Sequence, residues 1–583
     1  MSIYNKLRDD INSIIKDNLI ENKSYKKEIF QQYQIDEPPS EKFGDISTNV
    51  ALVFSKYIKE TPIDFANRLA NKIKEISYID NTKVEGPGFI NLFLKKDFWL
   101  KELVNVLKLE KKYGLSNLGK GESVNVEFVS ANPTGPLHIG HCRGAVYGDV
   151  LANLLSKVGY KVCKEYYIND SGNQIDILTE TVFLRYQEIV NKKKIKLKEY
   201  LYPGEYLIPI AKDLKKKCGN QLVISNKKDF EIIKKHSLRY MMNIIKKDLN
   251  SLGIKFDNFI SEDSLLKDKK IENVIDILKK KNLLYQGFLK KPKGKEIKNW
   301  ESRKQYLFKS TKFGDDVDRP IMKSDNEYTY FLKDIAYHFD KFKRKFSFMI
   351  NVWGADHGGY IKRLSSAVNS ITNNKIKLII KICQLVKVVD NKKILKMSKR
   401  EGTYVFLDNI IKNIGKDVTR FIMLTRKNTE KLEFDVNKVK EESKDNPVFY
   451  VQYAHARCCS VLREAKNYFN NSEISLKNIK KNNFNLINNS YELDLIKFIG
   501  KWPKIIEDAS VNQEPHRIPF YLQALASKFH TLWNYGKQNT NLRFINSKDK
   551  NLTFARLGMI YSLKIILSNG LKILGIKPLE VMK

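Results

Sequence analysis

The sequence predicts an α/β Rossmann-like core split by an insertion, preceded by a small α+β domain and followed by an all-α helix bundle. Three observations lead there. Residues 124–128, 346–353 and 377–386 read as strands that alternate with helical patterns, in the manner of a doubly wound parallel sheet. Between them, a Lys-rich stretch from about 190 to 300 is helical in pattern. From about Asn446 onward apolar residues fall at helical spacing, as in Leu522, Leu525, Phe529, Leu532 and Trp533, and again in Leu563, Ile566 and Leu567.

A chain of 583 residues exceeds what one core organises, and about four domains is the prior. Residues 1–110 mix helical periodicity with two glycine-marked segments, Phe43-Gly44-Asp45 and Gly86-Pro87-Gly88-Phe89-Ile90-Asn91-Leu92, the second a turn entering a strand. They are expected to form the small α+β domain. Residues 120–190 hold the first half of the core, where Val124, Val126 and Phe128 alternate into a strand. That strand breaks at Ser130-Ala131-Asn132-Pro133-Thr134-Gly135-Pro136, and a helical pattern follows. Residues 190–300 are expected as the insertion and contain Tyr202-Pro203-Gly204-Glu205-Tyr206-Leu207. Residues 300–430 complete the core, and 440–583 form the bundle. The sequence shows neither internal repeats nor a low-complexity linker.

Basic residues number 104 against 66 acidic, a net charge of +38. Such a balance suits a phosphate-rich partner, because each neutralised phosphate releases condensed counterions. Compositional enrichment of lysine gives the same count, so runs such as Lys192 to Lys194 and Lys215 to Lys217 are equally solvated faces. The cysteines are Cys142, Cys163, Cys218, Cys383, Cys458 and Cys459, and none shows the C-x2-C spacing of a zinc site. No metal ligand set is expected. The start, MSIYNKLRDD, lacks an apolar h-region, and no stretch approaches the roughly 18 apolar residues that span a bilayer. A soluble, reduced, cytoplasmic protein without membrane contact is expected.

Two motifs carry chemistry. Asn132-Pro133-Thr134-Gly135-Pro136-Leu137-His138-Ile139-Gly140-His141 lies between a buried strand and a helix start. There doubly wound folds bind ligands, and the free N–H groups of the helix favour phosphate. His138 and His141, three apart, share a face, and each imidazole can donate to a triphosphate, while Gly140 lets a base approach the backbone. Far downstream stands Lys396-Met397-Ser398-Lys399-Arg400-Glu401-Gly402-Thr403, with two lysines that can neutralise a leaving pyrophosphate. Seen alone, two histidines at a helix start are more often structural than catalytic, and a short basic loop is more often a solvated turn. Their order and the strand before the histidines favour a site.

The first motif resembles the HIGH sequence, and the second the KMSKS loop, of class I aminoacyl-tRNA synthetases. The flanks resemble arginyl-tRNA synthetases in particular: residues 126–132, Tyr328-Thr329-Tyr330-Phe331-Leu332-Lys333-Asp334, Trp353-Gly354-Ala355-Asp356-His357, residues 446–457 and Glu514-Pro515-His516-Arg517. The likeness runs the whole length. It implies that His138, His141, Lys396 and Lys399 are catalytic, and that Pro133, Thr134, Gly135, Pro136, Leu137, Ile139, Gly140, Met397 and Ser398, with Asp356 and His357 as weaker candidates, bind ATP. It further implies that Glu127, Asn132, Tyr330 and Asp334 surround arginine. Chemistry agrees, since a planar guanidinium is best held by carboxylates with a polar or aromatic neighbour. For Glu127, an acid in an apolar strand needs a cation to offset burial.

The resemblance makes the N-terminal domain a tRNA-elbow module, with Phe89 and Asn91 as candidate readers of a looped-out base, and the bundle an anticodon-binding domain using Tyr453, His455 and Arg457. Core or turn roles for these residues remain open from sequence. The implied activity is arginine–tRNA ligation with ATP as its Mg complex, without zinc, by a monomer acting on tRNA(Arg). The second lysine of the KMSK loop, frequently missing in the family, is present as Lys399. Another class I synthetase and an inactive tRNA-binding paralogue are the rival readings. Two pocket acids argue against the first, and the intact histidines and lysines against the second.

Overall fold

The computed structural model describes residues 3–18, 27–58, 60–288, 304–323, 327–391, 393–395, 405–441, 443 and 445–582. Helix α1 (Ile3–Asn18), strands β1 (Ile35–Asp36) and β2 (Ile46–Thr48), helices α2 (Val50–Ile58) and α3 (Pro62–Lys74), and strands β3 (Ile79–Glu85) and β4 (Phe89–Leu94) form the first unit. Its strands make an antiparallel sheet in the order β1-β2-β4-β3. Helix α3 starts where Thr61 caps it and Pro62 occupies its first turn, and it buries Phe65, Ala66, Leu69, Ala70 and Ile73 against the sheet. The β3–β4 turn needs Gly88, whose φ is 128° and where a Cβ would come 2.9 Å from the Pro62 carbonyl oxygen. Helix α4 (Lys96–Leu109), expected within this unit, leaves it and packs on the C-terminal bundle. Its Trp99 is buried so closely against Gly500 that a Cβ there would lie 2.8 Å from the indole.

The core runs through β5 (Ser123–Glu127), α5 (Ile139–Lys157), β6 (Lys161–Ile168), α6 (Asn173–Asn191), α7 (Leu207–Cys218), α8 (Lys227–Ser251) and β7 (Asn258–Ser261). It continues with α9 (Glu262–Lys267), α10 (Lys270–Lys280), a small antiparallel sheet of β8 (Leu284–Phe288), β9 (Lys304–Phe308) and β10 (Arg319–Met322), then α11 (Tyr330–Lys343). Strands β11 (Phe348–Gly354) and β12 (Lys377–Cys383), with α12 (Ile361–Thr372) between them, complete the main sheet. That sheet is parallel in the order β12-β11-β5-β6-β7. The chain therefore reverses its direction of winding between β5 and β11, and the crevice at the carboxyl ends of these two strands is where such folds take ligands.

The expectation for 190–300 needs correction. That stretch is not wholly an insertion, because β7 hydrogen-bonds to β6 as an edge strand of the parallel sheet. Four residues, all half-buried, are too few for an alternating pattern to declare them.

A second small sheet of β13 (Val386–Asp390), β14 (Lys393–Ile394) and β15 (Leu432–Asp435) follows, with α13 (Leu407–Ile414) and α14 (Lys416–Ile422). The bundle comprises α15 (Pro447–Glu464), α16 (Leu476–Ile479), α17 (Ser490–Gly500), α18 (Trp502–Val511), α19 (Arg517–Gln538) and α20 (Lys550–Ile573). Asn446 caps α15 and Pro447 opens it. Leu522, Leu525, Phe529 and Leu532 of α19, and Leu563, Ile566 and Leu567 of α20, are buried, with Trp533 packed at their margin. No helix among the described residues is long and apolar enough to cross a membrane.

Among the contacts that join the parts are two groups. Buried Arg420 on α14 donates to the carbonyls of Leu574 (2.6 Å) and Leu252 (2.9 Å) and pairs with Asp149 of α5. At the other end, an acidic edge of the N-terminal unit meets lysines of α17, α18 and α19. The pairs are Glu37–Lys501 (2.7 Å), Asp45–Lys497 (2.7 Å), Asp36–Lys504 (3.5 Å) and Glu41–Lys528 (3.6 Å).

Candidate active site

Strand β5 delivers the chain into a strained loop. Val129 and Ser130 adopt φ of 68° and 39°, a left-handed conformation that a β-branched residue rarely takes, and both line the cavity described below. The Ser130 hydroxyl holds the bend, donating to Glu127 (3.0 Å) and accepting from the Tyr167 N–H (3.1 Å). Helix α5 then begins on a reciprocal cap. His138 Nδ1 accepts from the Gly140 N–H (3.1 Å), and His141 Nδ1 accepts from the His138 N–H (3.3 Å). A ring nitrogen that accepts an N–H carries no proton, so each neutral imidazole bears its proton on Nε2. The two rings lie 3.9 Å apart between centroids, tilted by 33°. At Gly140 a Cβ would come 2.9 Å from the His138 ring, so a side chain there would collide with the motif itself.

The crevice encloses a cavity of about 820 Å³. Asn132, Thr134, Gly135, Pro136, His138, Gly140 and His141 form one wall, and Tyr330 and Asp334 another. Asp356 and His357, both exposed on the turn after β11, reach it as well. Pro133, Leu137 and Ile139 are buried and are not on the wall, a correction to their expected ATP contact: their side chains hold the loop from behind.

Helix α11 starts at the Thr329 cap, which puts Tyr330 in its first turn and Asp334 one turn deeper on the same side. Tyr360 donates to the Asp334 carboxylate (2.6 Å). The carboxyl is enclosed by protein yet reachable from the cavity. Burial, opposed by the Tyr360 hydrogen bond and reinforced by the charges of Glu127 and Glu262, raises its pKa to about 7. The charge of Lys333 opposes the rise, but this lysine is engaged by Glu262, so the two acids share one cation. Glu262, which sequence reasoning missed, is a buried acid on the same wall and accepts from Tyr167 (3.0 Å) and Lys333 (2.7 Å). It opens α9 directly after β7, so the strand that was missed is also the one that delivers it. Asn132 donates to Gln174 (2.7 Å) and accepts from Asn169 (3.1 Å).

Glu127 departs from expectation. It does not line the cavity, and the cation that offsets its burial is Lys341, fully buried 2.6 Å away. Lys341 also donates to Asn351 Oδ1 (3.2 Å), Asn351 bonds His338 Nε2 (2.8 Å), and His338 Nδ1 donates to the Asp334 carbonyl (2.8 Å). Burial, with Lys341 adding to it, drives the His338 pKa down to about 3, so this chain of bonds holds a neutral ring.

Lys396, Met397, Ser398 and Lys399 lie outside the described residues. The segment that follows them is tied to the histidine motif: Ile139 N–H donates to Val405 (3.1 Å), Leu407 N–H donates to Leu137 (2.9 Å), and His138 bridges Phe406.

Of the expected RNA contacts, Phe89 is exposed at the start of β4, whereas Asn91 is buried within the sheet and off the accessible face. Tyr453 is exposed on α15 with Arg457 one turn on. The guanidinium stacks 4.0 Å over the Tyr453 ring and 4.7 Å over Trp533. His455 is a correction. Two residues from Tyr453 on a helix, it faces the opposite side, is buried, and bonds the Leu579 carbonyl (2.7 Å).

Residues 102–497 match the family model described as tRNA synthetases class I (R), catalytic domain. With the doubly wound sheet and the paired histidines, this defines a class I aminoacyl-tRNA synthetase. Residues 5–94 match the arginyl tRNA synthetase N terminal domain, and 451–582 the DALR anticodon binding domain. An arginine–tRNA ligase of Jannaschia sp. (strain CCS1) is 46% identical over the whole of both chains, and that of Wolbachia sp. subsp. Brugia malayi (strain TRS) 48% over 94% of this chain and 95% of its own. A structure of a putative arginyl-tRNA synthetase from Campylobacter jejuni covers 84% of this chain and all of its own, with TM-score 0.73 at 29% identity. Thermus thermophilus arginyl-tRNA synthetase shares the fold over all of both chains, with TM-score 0.74 at 18% identity. The chain belongs to the arginyl-tRNA synthetases.

Proposed function

We propose that this cavity carries both steps of an arginine–tRNA ligase. The arginine carboxylate attacks the α-phosphate of MgATP, giving arginyl-adenylate and pyrophosphate. The 2′-hydroxyl of the terminal adenosine of tRNA(Arg) then attacks the activated carbonyl, forming the ester as the acyl–phosphate bond breaks and AMP leaves. His138 and His141 donate through Nε2 to the phosphates, Lys396 and Lys399 neutralise the leaving pyrophosphate, and Met397 and Ser398 complete that loop over ATP. Asp334 and Tyr330 take the guanidinium end, Asn132 a polar part of the same amino acid, and Asp356 and His357 the nucleotide. Glu127 acts from behind the wall, holding Ser130. Phe89, Tyr453 and Arg457 contact tRNA(Arg). The protein works as a cytoplasmic monomer and needs no zinc.

The carrying observation is the cavity itself. Two histidine donors at a helix N-terminus share it with a carboxylate whose raised pKa calls for a cationic ligand. Aminoacylation of total tRNA with each of the twenty amino acids tests it. Arginine alone should be esterified; another amino acid, or none, would overturn the reading.

A further inference from the structure

The stretch between β6 and β7 touches the histidine loop at two backbone groups. The Tyr206 hydroxyl, at the entry to α7, donates to the Thr134 carbonyl (2.7 Å). From α8, Asp248 accepts the Leu137 N–H (3.0 Å) and is only 4% exposed. These bonds bracket Thr134–Gly135–Pro136–Leu137, the four residues before His138. Tyr206 also stands against Gly135, where a Cβ would lie 3.2 Å from its hydroxyl, and its ring meets Phe406 edge-on at 6.2 Å. Leu137 is held on its other side too, since its carbonyl accepts from Leu407.

A bare solvated loop of proline and glycine would leave the first turn of α5 free to move. A misplacement of about 1 Å costs roughly a hundredfold in rate where catalysis is positioning. Both bonds come from the connection that carries the chain from β6 to the edge strand β7. A buried carboxylate is costly to keep for an ordinary backbone contact, so its presence under Leu137 points to a need for a charge-assisted bond there.

We propose that the β6–β7 stretch is a clamp on the histidine loop, with Tyr206 and Asp248 as positioning residues that set His138 and His141 against the ATP phosphates. The residues act through the loop backbone. The proposal rests on the reading that these histidines serve the ATP step.

The test is ATP–pyrophosphate exchange by the full chain with tRNA present, rates taken per active site by adenylate burst, for Tyr206→Phe, Asp248→Ala, Asp248→Asn and His138→Ala. Tyr206→Phe and Asp248→Ala should each lower kcat about tenfold, the rate equivalent of one lost hydrogen bond. KM for arginine should stay within about twofold, because its guanidinium end is held from α11 and Asn132 lies before the clamped residues, bonded to Gln174 and Asn169. Asp248→Asn keeps an acceptor for Leu137 and should recover part of the loss. Should His138→Ala alone be impaired while both clamp variants keep wild-type kcat, the clamp is refuted and the site reading stands. An unimpaired His138→Ala refutes both. Proportional loss of kcat and arginine affinity in the clamp variants would mean general loosening of the fold, and would likewise refute positioning.

Discussion

Asp334 meets two opposing demands. Burial and the nearby acids favour its neutral form, whereas a guanidinium needs its charge. Its pKa is raised from 3.8 to about 7, so in the empty pocket its burial costs the fold stability increasingly as pH rises from about 4 to 7, and in full above that. In the proposed function arginine selects the ionised form. Its KM should therefore rise as pH falls through 7, by at most about tenfold per unit, because a single proton is involved. Asp334→Asn should flatten that profile and lower kcat/KM for arginine roughly ten- to hundredfold, the equivalent of about 1.5 to 3 kcal/mol for a charge-assisted bond. Steady-state kinetics between pH 6 and pH 8.5 check both; a parallel profile in the mutant would remove Asp334 from the pocket. Asp334 was legible because it sits in one contiguous motif with Tyr330. Glu262 and Lys341 were not. One comes from an edge strand with no sequence pattern, and the other finds Glu127 across the interior, which local reading does not reach.

Helix α5 shows how closely its element is fitted. A Cβ at Gly148 would lie 2.3 Å from the Phe128 ring, so α5 meets the end of β5 at van der Waals distance only because that side chain is absent. Gly148→Ala should cost about 1 to 3 kcal/mol by overpacking. It should also lower kcat for adenylate formation, since both histidines ride on this helix. Thermal unfolding and exchange kinetics measure the two effects, and Phe128→Leu in the same chain should restore part of the stability. In the N-terminal unit, the β3–β4 turn leaves Phe89 exposed. Phe89→Ala should weaken tRNA(Arg) binding by about 1 to 3 kcal/mol if a base stacks there, with arginine KM unchanged; filter binding reads the first and kinetics the second. Helix periodicity and the Asn446-Pro447 start made the bundle legible. The i, i+2 offset of Tyr453 and His455 was also in the sequence, and it already separates their faces.

At the scale of the whole molecule, Arg420 joins the C-terminal end of the bundle, the end of α8 and helix α5 through one guanidinium. Arg420→Met should leave two buried carbonyls and part of Asp149 without a donor. The cost should be about 3 to 5 kcal/mol, though Lys164 stays 2.6 Å from Asp149. Urea denaturation should show a lower midpoint; an unchanged midpoint would make the junction incidental. No sequence pattern announces such a junction, because its acceptors are backbone carbonyls supplied by distant turns.

The acidic edge of Asp36, Glu37, Glu41 and Asp45 has a different consequence. In a chain of net charge +38 it acts as a built-in polyanion, occupying Lys497 and Lys501 as a phosphate backbone would, whereas Lys504 and Lys528 are held more closely by Asp508 (2.8 Å) and Asp494 (2.6 Å) of the bundle itself. Cutting away the N-terminal unit thus uncovers an ion-exchange surface. The shortened chain should lose discrimination among RNAs, yet its binding to any RNA should grow steeper with salt, by up to about 0.9 units of slope for each lysine that finds a phosphate.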